Sequence, residues 1–80
     1  MDDNEIVRRI HQLVEDEHQL SAKHQGELAS EEDVHRMREL EVALDQCWDL
    51  LRQRRARREA GLAPDDAEVR SEGVVEGYQQ

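Results

Sequence analysis

Aromatic side chains are almost missing: among 80 residues there is no phenylalanine, one tryptophan and one tyrosine. A core built on aromatic volume is therefore excluded, and whatever core exists must be aliphatic. The single cysteine, Cys47, rules out an internal disulfide and suits a reducing cytoplasm. One proline and four glycines leave too few turns for a sheet protein and fit a small number of long helices. No apolar run approaches the roughly 20 residues of a membrane span. The acidic start, MDDNE, lacks the basic region of a secretory signal. These absences predict a soluble, cytoplasmic, all-α protein of one domain.

What the chain has in excess is charge. Charged residues make up 39% and apolar residues 36%, with a net charge of −9. That balance leans towards disorder unless the apolar residues are strictly patterned. Residues 1–51 carry 14 acids and 5 bases, and residues 61–80 carry 5 acids and 1 base. Between them, residues 52–60 carry five arginines and one acid, a basic island between two acidic regions.

The apolar residues are patterned. Ile6, Ile10, Leu13 and Leu20 fall on one helical face, widened by Val7 and Val14, which predicts a helix over residues 3–22. Asp2 and Glu5 have capping-box spacing at its start. Residues 23–30 read as the connection, with Gly26 as the breaker. Ser30 is a natural N-cap, with Asp33 placed to close a second capping box and Ala29 to staple onto Val34. Met37, Leu40, Leu44, Cys47 and Leu51 then recur at coiled-coil steps, flanked by Ala43, Trp48 and Leu50. Val42 points away from this seam and reads as a surface residue. This second helix is predicted over residues 31–60, ended by Gly61 and Pro64.

The fold expected is an antiparallel, coiled-coil-like two-helix hairpin over residues 1–61. Residues 62–80 read as an acidic, mostly irregular tail carrying Val74, Val75 and Tyr78. At about 1.5 Å per residue, helices of roughly 30 Å and 45 Å should leave the second overhanging the first by several turns, at the arginine run. Both apolar faces are wider than one seam needs, so each helix wants a second neighbour. A homodimer forming a four-helix bundle is the economical solution, held by Ile6, Ile10, Leu13, Leu40, Leu44, Cys47, Trp48 and Leu51.

Little in the chain suggests catalysis. Two E-x-x-H matches, Glu15/His18 and Glu32/His35, have the spacing of carboxylate-bundle metal ligands. With the apolar stripes inward, both pairs point to solvent, so no metal or other cofactor is expected. Cys47 sits on the apolar seam as a packing residue, without a neighbouring histidine to activate it, although it remains a candidate for a disulfide between subunits. The expected activity is therefore non-enzymatic. Arg52, Arg54, Arg55, Arg57 and Arg58 are the candidate partner-facing surface. An acidic protein is the expected partner and nucleic acid the alternative. Cations also suit a helix C-terminus, and a tail folded back would neutralise the run.

The block "MRELEVALDQCWDLLRQRRARREAG", the later "VVEGY" and the short acidic start together resemble a family of small actinobacterial proteins, domain of unknown function 2630. Asp45-Gln46-Cys47-Trp48-Asp49-Leu50-Leu51-Arg52 is the most distinctive part, and the likeness covers nearly the whole chain. The resemblance implies a cytosolic bacterial protein of helical fold and assigns no catalytic or binding residue.

Overall fold

A computed structural model describes residues 1–24 and 30–77. Gly26, Ala29 and Tyr78, to which the sequence assigned a helix break, a staple and a tail contact, lie outside the described residues. Among the described residues three helices follow one another: α1 (Asp3–Lys23), α2 (Glu31–Glu59) and the short α3 (Glu72–Gly77), with a 3₁₀ turn at Pro64–Asp66. Among the described residues there is no strand.

The helix ends follow the local chemistry. Asp2 accepts from the Glu5 N–H at 2.8 Å, and Glu5 accepts from the Asp2 N–H at 3.3 Å, a complete capping box. Ser30 Oγ accepts from the Asp33 N–H at 3.2 Å. The reciprocal half of that second box does not form. The Asp33 carboxylate instead meets the end of α1, 3.6 Å from Lys23 Nζ and 2.5 Å from His24 Nε2.

At the far end, the Leu62 N–H donates to Arg57 O and the Gly61 N–H to Arg58 O. With Gly61 at φ +74°, this pair of bonds is a Schellman motif, and a side chain at that position would clash with its own backbone.

α1 and α2 pack antiparallel around Ile6, Ile10 and Leu50, with Leu44, Cys47, Leu51 and Ala67 against them. Leu13 and Leu40 are also fully buried. Trp48, expected to flank this seam and to serve in assembly, is 49% exposed. The reason is angular: Leu44, Cys47 and Leu51 sit within one arc of α2, while Trp48 lies a step round the helix from it.

Three expectations need correcting. The several-turn overhang is absent, because Asp3 at the start of α1 reaches both Arg54 and Arg58. The arginine run lies beside α1, not beyond it. The described part of the tail, residues 62–77, is also not mostly irregular, since the 3₁₀ turn and α3 both pack on α2 and Val75 is buried. Val42 becomes half-buried as a result, because α3 lies along the face of α2 that carries it.

So small an aliphatic core leaves little margin. Leu13→Ala should cost about 2–4 kcal/mol, a large part of the roughly 5–10 kcal/mol available to a chain of this length. Val69→Ala, at an exposed position, should stay within about 0.5 kcal/mol. Urea denaturation followed by circular dichroism measures both.

Candidate interaction surfaces

Helical register divides α2 into three faces. One meets α1 through Leu40, Leu44, Cys47, Leu50 and Arg54. A second, carrying Arg38, Val42, Gln46, Asp49 and Gln53, meets the returning tail. The third carries Trp48 and meets no other helix among the described residues.

The tail-facing side is polar, and its centre is Asp49, which is 0% exposed. A carboxylate removed from water is costly unless it is paired and hydrogen-bonded. Arg70 supplies a two-pronged pair, Nε to Oδ2 at 2.9 Å and Nη2 to Oδ1 at 2.5 Å, and Gln53 Nε2 donates to Oδ2 at 3.0 Å. The Arg70 bonds, opposed by burial and helped by Gln53, hold the Asp49 carboxyl below its usual pKa. The glutamines finish the clamp: Gln53 also donates to Glu68 O at 2.7 Å, and Gln46 to Arg70 O at 3.3 Å.

The arginine run is not a uniform surface. Arg54 is 6% exposed, with Nε donating to Asp3 at 2.6 Å and Nη1 to Asp65 at 3.0 Å. It is a structural residue and not a partner-facing one. Those two bonds outweigh its burial and keep it charged, while Asp3 is held below its ordinary pKa by Arg54 and then by Arg58. Arg57 donates to Ala63 O and approaches Asp66 at 3.5 Å; Arg58 meets Asp3 at 2.9 Å. Among the described residues, the ion pair of Arg55 is with Glu59, one turn along, at 3.5 Å with both side chains exposed. Arg52 is exposed and makes no ion pair among the described residues. Of the five, Arg52 and Arg55 alone keep their charge turned outward with little or no pairing.

The free side of the hairpin is apolar along both helices. Val7 and Val14 of α1 are exposed there, and Met37, Leu44, Trp48 and Leu51 of α2 are half-buried or exposed. Near the connection it deepens into a groove of about 510 Å³ lined in part by Leu20, Val34 and Met37. Cys47 lies on the opposite side, at a small cleft with Ile6, Ala43 and Val69. Burial raises its pKa, against a smaller opposing effect of Arg9, which disfavours the reactive thiolate.

Glu15, His18, Glu32 and His35 are all exposed, and His35 sits 3.2 Å from Glu39. Among the described residues no group of three or more potential metal ligands comes together. Nor is any helix there long and apolar enough to cross a membrane.

One polar group stands out at α3. Glu76 lies against Asp45, and one of its buried carboxylate oxygens has no hydrogen-bond partner. Bonding to Asp45, then burial, raises its pKa. A raised acid stabilises the fold below its unfolded pKa, near 4.5, and the contribution is lost as pH climbs through the folded value. Asp49 and Asp3 act in the other direction. Their contribution is present above the ordinary value of 3.8 and lost as pH falls through their depressed ones.

Stability should therefore peak in mild acid. Glu76→Gln should flatten the neutral side of a melting-temperature profile and leave the acid side in place. Asp49→Asn should cost about 2–3 kcal/mol at neutral pH, the upper figures for buried pairs being reduced because Arg70 is one-third exposed. It should also release the α3 amides to fast hydrogen exchange.

No solved structure matches the chain. It is 46% identical over 77 residues, 95% of its own length, to the uncharacterised proteins Rv0898c of Mycobacterium tuberculosis and Mb0922c of Mycobacterium bovis, covering 88% of each. The family model described as "Protein of unknown function (DUF2630)" matches residues 2–80, the two long helices and the returning tail alike, and the chain belongs to that family.

Proposed function

We propose that the protein is a non-catalytic interaction module that self-associates through the free face of its hairpin, two hairpins forming a four-helix bundle. The reading rests on one observation: by helical register Val7, Val14, Met37 and Trp48 line one side of the hairpin, half-buried or exposed, with the outer edges of the core residues Leu44 and Leu51 beside them, in a chain with very few large apolar residues to spare. Contiguous exposed apolar surface on a small domain marks an association site, and packing hairpin on hairpin gives each helix the second neighbour its width requires. Beside this surface, Arg52 and Arg55 are offered to an acidic partner.

A second reading, binding of nucleic acid, is favoured by the tail acids that cover Arg54 and Arg57. Asp65 and Asp66 would then act as a shield over the basic island.

Analytical ultracentrifugation at micromolar concentration should give twice the 9.4 kDa chain mass. Trp48→Glu should return the monomer with helicity unchanged, since a charge at the centre of a dry seam is costly. A wild-type protein sedimenting at the monomer mass would overturn the reading. In a companion experiment, the double variant Asp65→Asn, Asp66→Asn should gain no salt-sensitive affinity for RNA or DNA. A gain would favour the second reading.

A further inference from the structure

The charges flanking Trp48 are arranged by sign along α2. Towards the N-terminus of the helix, Glu41 lies seven residues before Trp48 and Asp45 three before it. Towards the C-terminus, Arg52 lies four after and Arg55 seven after. All four fall on or beside the Trp48 face by helical register, with Asp45 and Arg52 at its outer edge. Glu41, Arg52 and Arg55 are exposed. Neither Glu41 nor Arg52 has an ion-pair partner among the described residues, and Arg55 has only its weak contact with Glu59.

This pattern becomes its own complement when reversed. Two α2 helices crossing antiparallel at Trp48 place Glu41 opposite Arg55 of a second copy and Asp45 opposite Arg52, each pair occurring twice by the two-fold axis. Leu44 and Leu51 exchange places across the same axis, so the apolar positions match as well. A parallel crossing would set arginine on arginine and acid on acid, which disfavours it by repulsion.

An acid pair also borders this face, where Glu76 of α3 bonds to Asp45 of α2. One Glu76 carboxylate oxygen is buried and has no hydrogen-bond partner among the described residues. The arginine nearest in sequence register on that face, Arg38, is already bonded to Glu72 at 3.0 Å. Arg52 of a second copy would arrive at this acid pair.

We propose that the acidic partner of Arg52 and Arg55 is a second copy of the same chain, and that α2 crosses its counterpart antiparallel at Trp48 with Glu41–Arg55 and Asp45–Arg52 pairs at the rim. The inference rests on the self-association proposed above and adds its geometry. Rim charges of this kind set orientation and partner choice more than raw affinity.

The test is charge reversal followed by mixing. Glu41→Arg alone sets the introduced guanidinium against Arg55 of the second copy. Arg55→Glu alone sets the introduced carboxylate against Glu41, and either repulsion occurs twice per dimer. Each variant alone should dissociate about tenfold or more above the wild-type constant, from two exposed pairs turned from attraction to repulsion. An equimolar mixture of the two variants should form a heterodimer in which one of the two rim sites pairs two introduced charges of opposite sign and the other keeps the native pair, and recover to within about threefold of wild type. Sedimentation of fluorescently labelled variants reads both quantities, and circular dichroism checks that each variant keeps its helicity. Single variants that associate as well as wild type, or a mixture no stronger than its components, would overturn the antiparallel crossing while leaving dimerisation intact. A wild-type monomer would instead remove the self-association reading on which the crossing stands.

Discussion

A buried carboxylate organises this small protein. Asp49 has no contact with water, and it can remain ionised there only because Arg70 grips both of its oxygens and Gln53 takes a further position. Arg70 belongs to the returning tail, so satisfying Asp49 draws the tail onto α2. Once drawn in, the tail buries Val75, brings Ala67 against the apolar cluster and places Asp65 on Arg54. The third layer of the fold thus follows from the charge requirement of one residue in the second.

Arg54 plays a matching part at the other end. It joins Asp3 of α1 to Asp65 of the 3₁₀ turn, so one guanidinium ties together three segments separated by 51 and 11 positions in the chain. The planar fork of arginine suits this, since it donates in fixed directions to more than one carboxylate. Two buried charged residues of opposite sign, about one and a half turns apart on α2, hold elements that the aliphatic core is too small to hold by itself. The cost is a dependence on pH from both sides, with Asp3 and Asp49 lost in strong acid and the Asp45–Glu76 contact weakening towards neutrality.

This use of charge leaves the apolar residues unevenly spent. The α1-facing side of α2 takes Leu40, Cys47 and Leu50, and the tail is held mainly by polar groups. The Trp48 face is then the surplus. In a chain where apolar residues are this scarce, a surplus concentrated on one face, bordered by acids at one end and outward-turned arginines at the other, is the basis for reading the protein as a self-assembling module.

Local chemistry made much of this legible in advance. Asp2 and Glu5, Ser30, and Gly61 each act through neighbours within a few positions, so the start of α1 and both ends of α2 could be read from spacing alone, and the stripe from Ile6 to Leu13 marked the inward side of α1. What the sequence could not disclose was decided across long separations. Asp49, Gln53 and Arg70 look like ordinary solvated residues of a charged chain, and nothing in a helical period distinguishes a polar face that meets water from one that meets a polar tail. Arg54 is likewise indistinguishable from Arg55 until α1 and the 3₁₀ turn are brought beside it. The pairing of ions depends on three-dimensional proximity and desolvation, neither of which has a period along the chain. The helices were therefore determined by sequence, and the fate of each charge by the tertiary structure.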